Sequence, residues 1–376
     1  MQGIYSMLEL INNSLYKAGL FPGWDSKRNF QITMVAKVTY SFNESGELRL
    51  LENQPDIIEV DEYRDKPLNS SLIKVNETGA FKQGSELYCY ATAYSPGKKT
   101  KVMEVGLGVL FNNQTEWKKV LRVYGDRHWK KTILNYVMGK TSALNKTLPI
   151  AYEYAYGGRH SVNDEYEWAL NPVGLGYNHS SRNLLSYKLP NIELGPNFIT
   201  SPMQNTKAAG FSPLPLFWEP RASATGKINE VDFKNIENTD SVDSDECSAC
   251  PYGKDALPTL HHVAPEDQWF TQAFTGGEVI HVRGLMENVA HKKTVKLIVP
   301  ELMFTSYSIV NNDAKWLAPV CDTVILDTDE KTLSLIYRAS VLWDIFNVKQ
   351  GYVVLDRVSE EDASTDNNVT NKRIVN

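Results

Sequence analysis

The chain has 376 residues, which is long enough for one large domain or two of medium size. Its 39 lysines and arginines are outnumbered by 45 aspartates and glutamates, so the net charge of −6 excludes the basic excess that binding nucleic acid or an anionic membrane requires. Hydrophobic residues make up 42% and aromatic residues 11%, enough for a substantial core, which excludes a wholly disordered chain.

The first segment of the chain predicts a helix rather than a targeting or membrane segment. Residues Met7–Ala18 are a modest helix candidate. The chain start lacks the basic region, apolar core and cleavage site of a signal peptide. The longest nearly uncharged apolar run, Val105–Phe111, is far shorter than the roughly 20 residues of a membrane helix. The four cysteines are too few for a disulfide framework, so we expect a reduced, cytoplasmic protein.

The clearest predicted β-strand is Phe30–Phe42, where apolar residues alternate with mostly polar ones. The Asn43–Gly46 cluster predicts a turn, after which Glu47–Leu51 pairs back as a hairpin. Patterns rich in Val, Tyr and Thr predict further strands at Leu87–Tyr94, Val102–Phe111, Val120–Tyr124, Glu278–Leu285, Thr294–Val299, Thr323–Asp327, Thr332–Val341 and Tyr352–Val358. The sequence thus predicts a mainly β protein of packed antiparallel sheets, sandwich-like or barrel-like, with few short helices, Pro265–Phe274 being the second helix candidate.

Residues 149–225 differ from the strand-rich parts on either side, because they are dense in Pro, Gly, Asn and aromatic residues and show neither period. Long loops of this kind are usually packed and functional. An acidic, serine-rich segment at 235–246 predicts a solvated loop. The predicted organisation is a β-rich part over 1–148, a loop block with the acidic insertion over 149–258, a β-rich part over 259–358 that completes the same globular unit, and a flexible tail over 359–376.

Motifs of known chemistry are weak in this sequence. The Gly139–Thr141 triplet lacks the upstream glycine of a phosphate-binding loop. Cys247 and Cys250 have the spacing of two zinc ligands, with His261 and His262 nearby, but a second cysteine pair is missing and the neighbours are acidic. The sequence therefore predicts no cofactor and no metal, with this cysteine pair as a weak candidate.

Two further motifs have a chemical and a structural interpretation. His160, with Glu153, Asp164 and Glu165 nearby, has the side chains of a general base and its carboxylates, as in a hydrolase. No nucleophile is tied to them by spacing, and the tyrosines before Gly157 favour a strand that ends in a tight turn. The Gly125, Asp126 and Arg127 triplet predicts an Asp–Arg pair that pins a turn.

The order of motifs along the chain is more specific than any single motif. The first half carries YGDRHW at 124–129 and AYGG at 155–158. The second half carries NPVGLGY at 171–177, LPNIE at 189–193, and AGFSPL followed by WEPR over 209–221. This series, over roughly residues 10–345, resembles a bacterial domain-of-unknown-function family encoded beside type VI secretion spike and tip-effector genes.

The resemblance implies a non-enzymatic, cytosolic chaperone/adaptor that brings a secreted toxin effector to the spike protein, with no nucleic acid partner and no membrane insertion. We expect the loop block to form or buttress the partner surface, because aromatic residues on proline-fixed loops give contact area at low entropic cost. The candidate partner-binding or loop-scaffold residues are Tyr156, Gly157, Gly158, Asn171, Pro172, Gly174, Gly176, Tyr177, Pro190, Asn191, Glu193, Phe211, Trp218, Pro220 and Arg221.

Three alternatives stay open at this point. The aromatic residues of the block, Phe217 and Trp218 among them, can fill the core beneath their own loops rather than bind a partner. The chain can be a hydrolase-like enzyme that uses His160 with nearby carboxylates. It can also be a structural component of the secretion particle, which would be found in secreted material.

Overall fold

The computed structural model describes residues 7–80, 82–111, 115–159, 166–179, 188–196, 198–227, 250–343 and 350–357. The strands in these ranges are β1 (Met7–Asn12), β2 (Lys17–Trp24), β3 (Phe30–Phe42), β4 (Leu48–Leu50), β5 (Glu62–Tyr63), β6 (Leu72–Lys74), β7 (Ser85–Tyr90), β8 (Thr92–Tyr94), β9 (Val102–Phe111), β10 (Thr115–Tyr124), β11 (Trp129–Lys131), β12 (Tyr136–Met138), β13 (Thr147–Pro149), β14 (Tyr156–Gly157), β15 (Leu175–Gly176), β16 (Ile192–Leu194), β17 (Trp269–Phe270), β18 (Val279–Arg283), β19 (Thr294–Ile298), β20 (Phe304–Val310), β21 (Asp313–Leu317), β22 (Val320–Asp327), β23 (Thr332–Leu342) and β24 (Gln350–Arg357). The helical elements are α1 (Arg221–Ala224) and the 3-10 turns Pro67–Asn69, Tyr152–Tyr154 and Glu266–Gln268. Among these described elements, no helix has the length and apolar character needed to cross a membrane.

The largest sheet has seven strands in the order β17-β7-β22-β23-β3-β2, with β4 also paired to β3. Its neighbours are antiparallel except for β7 and β22, which are parallel. Both faces are buried, since adjacent residues such as Met34 and Val35 in β3 have no exposed surface. The sheet thus joins strands from the two ends of the chain and lies at the centre of the described fold.

Two further sheets pack against one face of the seven-stranded sheet. One has five strands in the order β16-β10-β9-β18-β19, and the other has four in the order β1-β24-β20-β21. A shared hydrophobic core includes Val38 and Leu335 of the seven-stranded sheet, Leu107 and Val282 of the five-stranded sheet, and Leu355 of the four-stranded sheet. The opposite face of the seven-stranded sheet has its own core around Tyr88.

Four short strand pairs complete the described part: β5 with β6, β8 with β13 and β11 with β12 are antiparallel, whereas β14 with β15 is parallel. The predicted fold class is therefore confirmed: the chain is mainly β, with several packed antiparallel sheets and very few helical residues. The predicted strand Phe30–Phe42 and its hairpin partner correspond to β3 and β4.

Both helix predictions are wrong. Residues Met7–Ala18 form β1 and the start of β2, because β1 pairs in parallel with β24 and the alternating Leu8 and Leu10 pack on the shared core. Residues Pro265–Phe274 form only a 3-10 turn followed by β17, which pairs with β7. In each case a distant strand supplies the hydrogen bonds, and such tertiary pairing overrides a weak local helix preference.

The strand predicted before Gly157 is also wrong over most of its length, since Tyr152–Tyr154 form a 3-10 turn and only Tyr156–Gly157 are extended in β14. The acidic segment 235–246 and the tail 359–376 lie outside the described residues.

Candidate functional site

The buried side chain of Asn171 connects two segments of the loop block by hydrogen bonds. Its Nδ2 donates hydrogen bonds to the carbonyl oxygens of Tyr152 (2.8 Å) and Tyr156 (3.0 Å). Its backbone oxygen accepts a hydrogen bond from the Gly158 amide at 2.8 Å. A single side chain therefore satisfies backbone groups that have no sheet partner, which is the requirement for burying an irregular loop. Pro172, next to it, is buried too.

The glycines of the block lie where two loops approach each other closely. Gly157 and Gly176 face each other across β14 and β15, and Gly174 follows Asn171 in the same turn. Gly158 has a φ of +108°, and a Cβ at this position would stand 2.6 Å from the carbonyl oxygen of Gly174. Only glycine fits such a contact and such a backbone conformation without strain.

A buried ion pair holds the other side of the block. Arg127 Nη2 donates to Glu193 Oε1 and to the Pro190 carbonyl oxygen, each at 2.6 Å. Glu193 Oε2 accepts the Ile199 amide at 3.3 Å, and the Arg127 guanidinium lies 3.5 Å from the centre of the Tyr124 ring. Both charged side chains are at most 2% exposed, so removing either partner leaves a buried charge unpaired.

The turn at residues 125–127 is fixed differently from the prediction. Arg127 pairs with Glu193 rather than with Asp126, which instead accepts a hydrogen bond from Asn191 Nδ2 at 3.1 Å. A Cβ on Gly125 would stand 2.2 Å from the Ser142 carbonyl oxygen, so this turn needs glycine for close packing. The arginine therefore reaches beyond its own turn to the LPNIE segment.

The aromatic residues divide into buried supports and exposed positions. Trp218 and Phe211 have no exposed surface and belong to the shared core, where Tyr152 donates to the Ser212 carbonyl oxygen at 2.9 Å. A separate aromatic cluster contains Trp129, Tyr156, Leu189 and Ile199, against which Tyr136, Trp168 and Tyr177 pack. Most of the predicted aromatic residues thus support the loops from beneath.

The end of the block is held by Arg221, which follows Pro220 at the start of α1. The Arg221 guanidinium donates to the Leu214 carbonyl oxygen. Burial lowers the pKa of this guanidinium. The bond fixes the turn at residues 214–221, which carries Leu216 and Phe217 on the outside.

Three exposed apolar side chains and one half-buried tyrosine lie beside the block, and we call them the apolar rim: Leu68, Leu216, Phe217 and Tyr63. Leu68 is 64% exposed, Leu216 46% and Phe217 39%. The Tyr63 ring stacks on Phe217, with 6.2 Å between centroids and 22° between planes.

The β5–β6 hairpin that carries Tyr63 and Leu68 is fixed to the loop block. Glu153 accepts hydrogen bonds from both the amide and the hydroxyl of Ser71 at 2.8 Å. Arg159 donates to the Leu68 carbonyl oxygen at 3.2 Å and to Asn69 Oδ1 at 3.3 Å. The apolar rim therefore combines two segments held together by directed polar contacts.

The residues of the hydrolase-like alternative are only partly described. Glu153 is the described member, and its two carboxylate oxygens bind the β5–β6 hairpin. His160, Asp164 and Glu165 lie outside the described residues, as does Cys247, whereas Cys250 is buried. No group of three or more His, Cys, Asp and Glu residues placed to hold a metal ion occurs among the residues that the structure describes.

Sequence analysis missed a buried network of charges on the outer face of the seven-stranded sheet. We call it the sheet network, and its members are Lys37, Glu77, Lys82, Glu86, Asp322 and Arg338. All of them are at most 4% exposed. Lys37 stands at a polar position of the alternating pattern of β3, but residues 75–80, 82–84 and 262–264 cover that face of the sheet.

The arginine is the centre of the sheet network. Arg338 donates from Nη1 to Asp322, from Nη2 to the Glu77 carbonyl oxygen at 2.6 Å and from Nε to the Gly79 carbonyl oxygen at 2.9 Å. Glu77 in turn accepts two hydrogen bonds of 2.8 Å from Lys37 Nζ. The arginine thus ties the covering segment to strands β22 and β23.

The other half of the network joins Lys82 to Glu86. Glu86 Oε2 accepts the amides of Val263 (2.9 Å) and Ala264 (3.0 Å), while its other oxygen pairs with Lys82. Burial by itself raises the pKa of Glu86, but Lys82 and His262 reverse this effect and lower the pKa below its ordinary value. Burial lowers the pKa of Lys82. A charged residue inside an apolar strand pattern, such as Arg338 in β23, is the sequence signal that identifies such a network.

Comparison with known proteins gives one match. Residues 27–338 match the family DUF2169, which is described as an uncharacterized protein conserved in bacteria. Neither the curated proteins nor the solved structures gave a match. Because the matched region spans most of the chain and contains the whole loop block, the chain belongs to the bacterial family DUF2169.

Proposed function

We propose that this chain is a non-enzymatic chaperone/adaptor that binds a type VI secretion effector, at its N-terminal or tip-domain region, and promotes its stabilisation and loading onto the spike protein. The observation that carries the proposal is the apolar rim, where Leu216 and Phe217 are exposed on a turn whose other side is fixed by buried contacts. Exposed apolar side chains next to polar ones are typical of a surface that binds another polypeptide.

The construction of the loop block supports this role energetically. A binding surface on loops is costly if the loops must become ordered when the partner arrives. Here Asn171, the Arg127–Glu193 pair and the Glu153–Ser71 contacts fix the loops beforehand. Binding then orders few side chains, so the burial of the rim contributes to affinity with little entropic loss.

The role also predicts where the chain acts. An adaptor of this kind stays in the cytoplasm after the effector has been loaded, whereas a structural component of the particle leaves the cell with it. Quantitative detection of the chain in secreted and cell fractions separates these two roles, and recovery of the chain in stoichiometric amounts with secreted spike protein would contradict the adaptor role.

The experiment that tests the function is co-expression of the effector encoded beside this gene with its spike protein, with and without the chain. We expect the soluble, spike-bound effector to fall to background when the chain is omitted. An effector that is equally soluble and equally spike-bound without the chain would exclude the proposal.

A pair of surface variants tests the role of the rim. Replacing Leu216 and Phe217 by Asp introduces two charges into the rim, and we expect capture of the effector to fall at least about tenfold, because charges at an apolar contact oppose burial. The matched control is Leu15→Asp, a 73% exposed leucine in the turn between β1 and β2. Equal losses in the variant and in the control would remove the rim from the binding surface.

A further inference from the structure

The hairpin formed by β11 and β12 ends in two aliphatic side chains that lie in solvent. Ile133 is 102% exposed and Leu134 is 89% exposed. The tip that presents them is ordered by its own hydrogen bonds: the Thr132 hydroxyl donates to the Asn135 carbonyl oxygen at 2.6 Å and accepts the Asn135 amide at 3.0 Å. Two adjacent aliphatic side chains on an ordered tip are unfavourable in water and mark a contact surface.

The root of the hairpin is anchored in the loop block. Trp129 is 5% exposed and belongs to the aromatic cluster with Tyr156, and Tyr136 on the opposite strand packs against the same cluster. The paired residues Trp129 and Met138 close the base of the hairpin. The tip therefore projects from a fixed base, and its docking needs little ordering of the chain.

The hairpin is locally basic in a chain of net charge −6. Residues 127–146 contain no aspartate or glutamate. Lys130, Lys131 and Lys140 are exposed, and none of them forms a salt bridge with another residue in the described ranges. The hairpin thus combines an apolar tip with a basic stem.

A cleft with complementary properties lies on the outer face of the seven-stranded sheet. It has a volume of about 750 Å³ and opens to solvent between the sheet and the segment at residues 51–62. Tyr88, Tyr90 and Ile325 form its floor, and the apolar side chains of Ile58 and Val60 line its wall.

The cleft is strongly acidic. The acidic lining residues are Asp56, Glu59, Glu62, Glu77, Asp327 and Glu330, against the two lysines Lys37 and Lys74. Lys37 binds Glu77, Lys74 binds Glu62 and Lys17 binds Asp56. Glu59, Asp327 and Glu330 have no salt bridge with any described lysine or arginine, and burial raises the pKa of Asp327.

We propose that the hairpin of one copy docks in the acidic cleft of a second copy of this chain. The two aliphatic side chains of the tip would contact the tyrosines and aliphatic residues of the cleft, while Lys130 and Lys131 would approach Glu59 and Glu330. Charge complementarity of this kind sets the orientation and the partner. Because the two surfaces are different patches of the same chain, the contact is heterologous and links copies head to tail.

A polypeptide cleft fits the hairpin better than a lipid surface does. Three lysines attract anionic lipid only weakly at physiological salt, and the net charge of the whole chain opposes the approach. A tip of two aliphatic residues is also a single shallow anchor, and stable membrane binding needs two such signals. The acidic cleft supplies both the charge and the apolar lining.

Sedimentation velocity of the full chain over a concentration series tests the contact. We expect the weight-average mass to rise with concentration and the association to weaken in high salt. Replacing Ile133 and Leu134 by Asp should raise the apparent Kd at least about a hundredfold. The control Leu342→Asp changes a leucine that is 69% exposed, and it should associate like the original chain. A chain that stays monomeric at every concentration would overturn the proposal.

A mixing experiment separates this contact from a general loss of folding. The cleft variant carries Glu59→Lys and Glu330→Lys, both at exposed positions. The hairpin variant and the cleft variant should each be monomeric alone, yet their mixture should form a 1:1 dimer and no larger species, because one supplies an intact cleft and the other an intact hairpin.

Two results of this experiment would contradict head-to-tail docking. One is a mixture that stays monomeric. The other is hairpin-dependent binding of a monomeric chain to phosphatidylserine-containing vesicles, which would assign the hairpin to lipid. The inference uses neither the apolar rim nor an effector, so it stands or fails separately from the proposed function.

Discussion

The seven-stranded sheet and the framework beneath the loop block are both buried, but different interactions hold them. In the sheet, the backbone of β3 is paired on both sides, with β23 and with β2. In the described part of the loop block, strand pairing is limited to the short strands β13, β14, β15 and β16, of two or three residues each, and to isolated bridges. There the loops are held by backbone bonds of turns and, in addition, by hydrogen bonds from individual side chains to backbone carbonyl oxygens, above all from Asn171.

The comparison teaches what buried polar groups do in each region. In the sheet network the charges attach a covering segment to strands that already have their hydrogen bonds, so they determine what lies on the sheet. In the loop block the polar side chains replace the missing backbone partners, so they determine the loop conformation itself. The second region can vary its surface residues while its buried framework stays the same, which suits a partner-binding surface.

The largest effect is expected when the centre of the sheet network is removed. Arg338→Leu leaves Asp322 without its cation and two carbonyl oxygens without a donor, so the free energy of unfolding should fall by about 3–5 kcal/mol. Urea unfolding measures this loss of free energy. The control Lys331→Met breaks the partly exposed Lys331–Glu44 pair and should cost less than about 1 kcal/mol. Similar losses of unfolding free energy in both variants would mean that the buried network stabilises the fold no more than an exposed ion pair does.

The next effect concerns pH and the segment that covers the sheet. His261 lies against the Trp24 carbonyl oxygen at 2.9 Å, and burial lowers its pKa from 6.5 to about 4. Between these pH values the unfolded chain binds a proton that the folded chain does not, so stability falls as the pH falls. The contribution is present above pH 6.5 and is lost towards pH 4, by about 3 kcal/mol at most.

His261→Gln should reduce the pH dependence of the unfolding free energy between pH 6.5 and 4. Measurements on both proteins across this range, with their values above it as the reference, isolate the histidine from the carboxylates. An unchanged slope in the variant would show that this histidine does not titrate as described.

A smaller, local effect is expected in the loop block. Asn171→Ala removes the side-chain donor to the carbonyl oxygens of Tyr152 and Tyr156; the Tyr152 oxygen keeps the Ala155 amide, whereas the buried Tyr156 oxygen loses its donor, at a cost of about 2 kcal/mol. Hydrogen exchange should accelerate at the Gly158 amide and its neighbours while β3 keeps its protection. The control is Asn29→Ala, at an exposed position whose side chain donates to Asp25. This substitution should lower the free energy of unfolding by less than about 0.5 kcal/mol. Faster exchange throughout β3 would contradict the separation of the two regions.

The smallest effect on stability is expected at the apolar rim. Phe217→Ala removes a partly exposed ring that stacks on Tyr63, so the free energy of unfolding should change by about 1 kcal/mol or less. Trp218→Ala, one residue further on, should cost about 3–5 kcal/mol because that ring is fully buried. Comparable losses at the two positions would mean that Phe217 is a core residue rather than a presented one.

The sequence alone predicts the regular parts of this fold better than the irregular ones. Period-two alternation identified β3 with its observed bounds, because side chains on a strand alternate between faces, and a composition rich in β-forming residues did the same for β9. Local sequence patterns failed at Met7–Ala18, where they predicted a helix, because the strand β1 forms by pairing with β24, more than three hundred positions away. Local patterns also did not predict the burial of the outer face of β3. Lys37 follows the polar pattern that is typical of an exposed position, but it is covered.

The loop block shows the same limit at finer detail. Motif spacing selected Asn171, Glu193 and Trp218, all of which lie in the buried framework. It did not reveal that Arg127 pairs with Glu193, because this contact joins segments 66 positions apart. The exposed rim was missed for a related reason: Tyr63 meets Phe217 only after the β5–β6 hairpin packs on the block.

Hydrogen exchange of the chain with and without the effector's N-terminal region tests the central claim most directly, since it locates the partner on the chain itself. The account predicts new protection at Tyr63 and at residues 214–218, while the buried strands of the seven-stranded sheet stay unchanged. Protection confined to other surfaces, such as the edge strands β19 and β21, with none at the apolar rim, would contradict it.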